Sequence, residues 1–226
     1  MVSEDRRIRI ISGHYGSGKT EFAVNYVTKL RRRAAGKVAI ADLDIVNVYF
    51  RSREKKRELE EKGVQVIASN LDTAAADVPA VSGAMTMPVV SRDYQYVIDL
   101  GGNDVGTLVL GRIKPLLDHR ETDFFMVVNT YRPDTAAPEG VIAQMEALEA
   151  ASGLRVTGFV NNTNLVRETT ADCLRRGDEI LREVTRRTGV PVRYVSYIER
   201  LLTEEVPDGL AGERFPMEFH MRKLWM

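Results

Sequence analysis

Lys19 and Thr20 close the run Gly13-His14-Tyr15-Gly16-Ser17-Gly18-Lys19-Thr20, whose residue types and spacing suit one chemistry above others, the holding of a phosphate chain. The run fits G-x-x-x-x-G-K-[ST]. It lies between a short apolar stretch, 8–11, and a segment of helical periodicity, the context that the pattern requires. Glycines let successive backbone N–H groups turn toward one anion with no Cβ in the way. The helix that follows adds the positive end of its dipole. Lys19 is placed to reach the β- and γ-phosphates of a nucleotide, and the Thr20 hydroxyl to ligate Mg²⁺. Ser17 and Glu21 belong to the same expected nucleotide-binding stretch.

Carboxylates come next. Asp99 ends the apolar run Tyr-Val-Ile-Asp and precedes a Gly101-Gly102-Asn103-Asp104 turn. A strand-end carboxylate near a phosphate loop is expected as the second Mg²⁺ anchor, and a Gly102 N–H can sense the γ-phosphate. Asp42 and Asp44 flank Leu43 where another strand ends. One of them can address a catalytic water and the other can turn toward the metal. Asp44, farther out, is the expected catalytic residue together with Lys19, and Asp42 joins Thr20 and Asp99 on the metal side. The N-K-x-D segment of a guanine-specific site is absent. Asn161 ends a strand instead, and its amide can bond the adenine N6 and a ring nitrogen. Asn162 and Asn164 are open alternatives to it.

These residues need a scaffold that brings strand ends together. Apolar runs at 8–11, 37–41, 64–68, 94–100, 123–129, 155–160 and 192–196 read as strands. Helical patterns lie between them, at 22–33, 51–62, 105–117, 137–151 and 170–188. Residues 70–92 read as a long loop with a short helix, and a helical tail is expected from about 200. Strands alternating with helices imply a parallel sheet covered on both faces, with ligands at the carboxyl ends of its strands. No linker, repeat or low-complexity segment divides the chain, so 1–226 is expected to be a single domain.

The chain has 226 residues, 44% hydrophobic and 28% charged, with 32 Lys+Arg against 32 Asp+Glu. That balance gives no strong nucleic-acid signal. The single cysteine, Cys173, excludes an internal disulfide and a multi-cysteine metal site within one subunit. The polar start, Met-Val-Ser-Glu-Asp-Arg-Arg, does not read as a signal peptide, and no apolar stretch is long enough for a membrane span. A cytoplasmic location is the resulting expectation.

Gly13–Thr20, Asp42-Leu43-Asp44, Asp99-Leu100-Gly101-Gly102 and the Gly-Phe-Val-Asn-Asn run ending at Asn162 together resemble the ParA/MinD family of dimerising ATPases. The wider group includes nitrogenase iron protein and metal-cluster maturation ATPases. The resemblance spans residues 8 to about 200. It implies an α/β, three-layer P-loop NTPase fold with a central, mostly parallel sheet and helices on both faces. It implies an ATP- and Mg²⁺-dependent ATPase that acts as a switch on a client protein, with a nucleotide-dependent homodimer. By resemblance, Asp44 orients water, Asp99 serves the magnesium, Gly102 senses the γ-phosphate and Asn161 reads adenine. One position departs from the family: its loop carries a lysine that crosses to the other subunit's nucleotide, and here that position is His14, followed by Tyr15 rather than glycine. Histidine is mostly neutral at pH 7 and supplies no fixed charge. The Cys-x-x-Cys of cluster-carrying relatives is also absent.

The end of the chain, Glu-Arg-Phe-Pro-Met-Glu-Phe-His-Met-Arg-Lys-Leu-Trp-Met, carries apolar area with few basic residues. Docking, on its own domain or on a partner, is favoured over membrane contact, because the basic content is slight and Glu213, Pro216 and Glu218 interrupt the pattern. Two other functions fit the loop. One is a small-molecule kinase, which needs an acceptor pocket and an arginine-rich lid; Arg51, Arg53, Arg112 and Arg132 are candidates for it, but no lid-like segment between helices is evident. The other is a nucleotide-binding regulatory module with negligible turnover, motivated by His14.

Overall fold

Among the described residues, runs of β-branched and aromatic residues, each too short for a helix, form eight strands. They are β1 (Ile8–Ser12), β2 (Lys37–Asp42), β3 (Val64–Ala68), β4 (Tyr94–Asp99), β5 (Thr122–Val128), β6 (Gly158–Asn161), β7 (Val192–Ile198) and β8 (Glu213–Met217). The structure is a computed structural model and describes residues 2, 4–43, 56–68, 83–101, 110–111, 113–202 and 204–220. The strands make one sheet in the order β3-β2-β4-β1-β5-β6-β7-β8. Every neighbouring pair is parallel. Helices with described bounds include α1 (Lys19–Arg33), α2 (Lys56–Glu61), α3 (Gly83–Val90), α4 (Pro138–Ser152) and α5 (Ala171–Thr188).

Alternation along each strand sends side chains to two cores. Ile10, Phe124, Met126 and Val128 pack with Val89 of α3, Val141 of α4 and Leu181 of α5. Ile11, Ile40, Phe125 and Val127 pack on the opposite face with Phe22 and Tyr26 of α1 and Leu59 of α2. The result is a three-layer α/β fold, as expected. Among the described residues, no helix is long and apolar enough to cross a membrane.

The main departure from expectation lies at the C-terminal end. Residues 204–220 contain no helix; β8 extends the sheet instead, pairing with β7 from Tyr194↔Glu213 to Ile198↔Met217. Pro216 obscures this strand in the sequence, because proline breaks a central ladder. At the edge of a sheet its missing N–H costs no bond. Phe215 then drops into an aromatic cluster, with its ring centroid 4.8 Å from Phe22 and 5.3 Å from Tyr194. The 213–217 part of the segment therefore docks on its own domain, while residues 221–226 lie outside the described residues. The short helix expected somewhere in 70–92 is α3. Arg7 caps its C-terminal end by donating to the carbonyls of Pro88 (2.8 Å) and Val89 (2.7 Å).

At the N-terminal ends of the strands, Arg9 of β1 is fully buried. Its guanidinium donates to the carbonyls of Arg7, Val2 and Asp5 and to the Gln95 side chain. Asp5 accepts from the Tyr26 and Tyr194 hydroxyls and pairs with Arg193. Burial pushes both tyrosines well above their ordinary pKa, so they remain protonated donors. This network fastens the start of the chain beneath the sheet.

Candidate functional site

β1 is central, with β4 on one side and β5 on the other. The chain leaves β1 toward β2 and β3, and after β4 it builds the opposite half of the sheet. The loop after β1 therefore stands at the topological switch point, where open α/β sheets bind ligands. Residues 13–18 fill that position, and α1 begins at Lys19.

Sterics explain the loop's glycines. An ideal Cβ on Gly13 would collide with the carbonyl oxygen of Val127 in the neighbouring strand. Gly18 has φ 86° and is closely covered by the Asn162 side-chain amide. An L-residue would be both strained and blocked there. Asn162 donates from Nδ2 to the Ser17 carbonyl at 2.7 Å and accepts from the Ser196 hydroxyl at 2.8 Å. The loop is thereby held from outside by β6 and β7, with its backbone preset.

Lys19 and Thr20 are nearly buried, each 5% exposed. The Thr20 Oγ1 and Ser17 Oγ atoms are buried and have no hydrogen-bond partner among the described residues. A buried hydroxyl without a partner costs on the order of 1–3 kcal/mol, so it marks a position built for something else to fill. Asp42 and Asp99 stand opposite each other at the ends of β2 and β4 in the strand register. Neighbouring strands lie about 4.8 Å apart, so two buried carboxylates share this corner. The Leu43 N–H donates to the Asp99 carbonyl at 2.8 Å and ties the two strand ends together. Threonine hydroxyl and carboxylate oxygens form a hard-oxygen donor set that suits Mg²⁺. Among the described residues, no group of three or more His, Cys, Asp or Glu could hold a metal by itself. Asp44 and Gly102 lie outside the described residues.

From the loop a cavity of about 130 Å³ runs toward β7 and β8. Its near end has Gly16, Gly18, Lys19, Thr20 and Arg132; its far end is apolar, with Val166, Ile198, Leu201, Met217 and Phe219. Val166 adopts φ 60°, a left-handed conformation that is costly for a β-branched residue and places strain in the cavity wall. Asn162 and Asn164 line the cavity; Asn161 does not. Asn161 is fully buried behind them, donating to the Leu174 carbonyl at 3.1 Å and accepting from the Thr163 N–H at 3.2 Å. That amide fastens β6 to α5, while the two open alternatives to it, Asn162 and Asn164, are the ones that line the cavity. Gly177 of α5 leaves room for this contact, since a Cβ there would strike Asn161 and Thr163.

Met217 and Phe219 reach the cavity because a strap fixes them to α1. The Asn25 amide donates to the Glu218 carbonyl at 2.9 Å and accepts from the Glu218 N–H at 2.8 Å. The Glu21 carboxylate accepts from the His220 N–H at 2.6 Å. The helix that starts at the phosphate loop thus also holds the far wall. The sequence offers Arg132 only as one of four candidate arginines for a kinase lid, and it does not place the strap in the site. The faint signal for the strap was the pair Phe215 and Phe219 at a chain end otherwise short of apolar order.

His14 does not face the cavity. Its Nε2 lies 3.2 Å from the Asp134 carboxylate, and Nδ1 lies 3.1 Å from the Tyr15 carbonyl. Tyr15 is 70% exposed at the tip of the loop, so it covers nothing within this chain.

No family model matches the chain, and no curated protein matches it in sequence. Solved structures do resemble it. Cell division protein FtsY from Thermotoga maritima aligns over 88% of this chain and 62% of its own, at 20% identity and TM-score 0.54. Chloroplast FtsY from Physcomitrella patens covers 95% and 62%, at 15% identity and TM-score 0.55. Signal recognition particle receptor FtsY from Elizabethkingia anophelis, solved in complex with GDP, covers 85% and 58%, at 18% identity and TM-score 0.51. The chain spans less than two thirds of the length of each of these. At such identities the likeness is one of fold, and the fold is that of the P-loop NTPases.

Proposed function

We propose that the chain is a Mg²⁺-dependent ATPase whose nucleotide state switches its affinity for a partner protein, the activity implied by its resemblance to the ParA/MinD family. The observation that carries the reading is the buried Thr20 hydroxyl, without a partner among the described residues, beside Lys19 at the end of a loop shaped for phosphates. Thr20, Asp99 and Asp42 are the residues that would hold Mg²⁺, whose chemistry there is neutralisation of charge on the β- and γ-phosphates. The N–H groups of residues 13–20 bind the phosphate chain, with Lys19 on its β–γ side. Asp44 orients a water in line with the γ-phosphate, and Gly102 senses that phosphate.

The far end of the cavity supports adenine over guanine. Guanine presents N1–H and N2–H₂ donors, which a carboxylate satisfies best. The apolar end has none among its lining residues; the one lining carboxylate, Glu21, is at the loop end and bonded to His220. An apolar slot between Ile198 and Phe219 instead suits an adenine ring, whose edge meets the 162–164 segment. We assign the base contact to this segment rather than to the Asn161 amide.

The direct test is product analysis with Mg²⁺ present. ADP and free phosphate in equal amounts are expected, with ATP preferred to GTP. A phosphorylated metabolite in place of free phosphate would establish a kinase, and no turnover with a saturating partner would establish a regulatory module. Sizing the protein with ADP and with a nonhydrolysable ATP analogue tests the homodimer. The strap supplies a further expectation: Asn25→Leu removes both bonds to Glu218 and frees Phe219. ATP affinity should fall roughly 10-fold while tripolyphosphate binding holds, as calorimetry would show.

A further inference from the structure

We infer that Arg132 is a phosphate ligand supplied in cis, so that the positive charge around the phosphate chain is complete within one copy of this protein. The inference rests on the nucleotide-binding reading above and concerns how its charge is assembled. The Arg132 Nε donates to the Gly16 carbonyl at 2.9 Å. The guanidinium lies flat on that glycine: a Cβ at Gly16 would sit 2.9 Å from the guanidinium carbon and 3.1 Å from Nη2. The two Nη atoms make no hydrogen bond or ion pair among the described residues. Arg132 lines the same cavity as Lys19 and Thr20. A guanidinium has five N–H donors; one is spent on the loop, and the remaining four form a fork that matches phosphate oxygens.

The fork is preorganised. The Arg132 N–H donates to the Asn129 carbonyl and the Thr135 N–H to the Arg132 carbonyl, both at 3.0 Å. The Thr135 hydroxyl donates to the Asn129 carbonyl at 2.7 Å, and Pro133 fixes the next φ. Asn129 is itself tied to the cavity-lining Asn164, its Nδ2 donating to the Asn164 carbonyl at 3.1 Å. Little side-chain or loop entropy is then left to lose on binding an anion.

The same turn disposes of the alternative cation. Asp134, two residues on, pairs with His14 on the other shoulder of the loop. Residues 132–134 therefore hold the loop at both sides, Arg132 facing the cavity and His14 directed away from it. A cationic ligand rigidly held within the chain does what a charge brought by a second copy would otherwise do.

The test uses Arg132→Gln and Arg132→Lys in the full chain, with calorimetric binding of ATP, ADP, tripolyphosphate and adenosine. Arg132→Gln should weaken ATP, ADP and tripolyphosphate by about 10- to 100-fold and leave adenosine unchanged. Arg132→Lys should recover part of the loss, keeping the charge without the fork. Wild-type turnover per subunit should be constant across protein concentration. Three results would overturn the inference: Arg132→Gln binding tripolyphosphate like the wild type, an equal loss for adenosine, or wild-type turnover that rises steeply with concentration. A wild-type chain that binds no nucleotide would instead remove the underlying functional reading. If Arg132→Gln fails to fold, Arg132→Lys alone decides, through a loss for tripolyphosphate with adenosine binding intact.

Discussion

Lys19→Ala is expected to abolish measurable ATP binding while leaving the fold intact. Lys19 is the first residue of α1 and is 5% exposed, so its ammonium is held at the loop rather than in solvent. A phosphate chain in that cradle carries several negative charges, and little water remains to screen them. Removing the cation from a buried, hydrogen-bonded charge pair costs roughly 2–5 kcal/mol, which is at least about 30-fold in affinity and as much as several thousand-fold. Alanine is the best helix former, so the start of α1 should survive. Titration with a fluorescent ATP analogue, alongside a melting curve, checks both halves. Tight ATP binding by a folded Lys19→Ala variant would remove the nucleotide assignment.

Asp44→Ala should behave in the opposite way, keeping ATP affinity and losing turnover by about 10²- to 10⁴-fold. The expectation follows from where Asp44 enters the chain. Asp42 ends β2, and Leu43 is buried and tied by its N–H to the Asp99 carbonyl. Asp44 is then the first carboxylate past the strand ends. Asp42 is paired in register with Asp99, and the proposed function gives it to the metal side. Single-turnover phosphate release with ATP pre-bound separates chemistry from binding. Unchanged hydrolysis in Asp44→Ala would move the water-orienting role to another residue; equal loss of binding and rate would make Asp44 part of the nucleotide cradle.

Much of the scaffold could be read from local patterns. Strands β1 to β5 and β7 were legible as short apolar runs, and helices α1, α4 and α5 as apolar periodicity ending in glycine or a basic turn. Gly153 and Gly189 stand at the C-terminal caps of α4 and α5 in left-handed geometry, which is why those two ends were clear. β6 was located, but it begins at Gly158 rather than at Arg155. Residues 155–157 lie outside the strand, although the Thr157 N–H already donates to the Phe124 carbonyl at 2.8 Å, and an apolar run does not show where a ladder begins. β8 was missed altogether. Pro216 and two charged residues in a five-residue run give no strand signal unless an edge partner is known.

The phosphate loop could be recognised from the sequence because its requirements are local. Eight consecutive residues must supply glycines where the backbone turns, an ammonium, a hydroxyl and a helix start, and each can be judged from its neighbours. The paired aspartates were legible for a related reason, since an acid at the end of an apolar run stands out in any fold. The base end of the cavity had no such signature. Its walls come from the end of β7, from β8 and from the Asn162–Val166 turn, and they meet only because the sheet order brings those strand ends beside α1. Asn161 and Asn162 show the limit most clearly. They are adjacent and chemically identical, and strand alternation sends one amide to α5 and the other to the loop. The sequence alone determined that a phosphate loop sits on a parallel α/β scaffold. The tertiary structure decided which side chains stand around that loop, setting Arg132 and Asn162 against it and Asn25 against Glu218, because these contacts join residues more than a hundred positions apart.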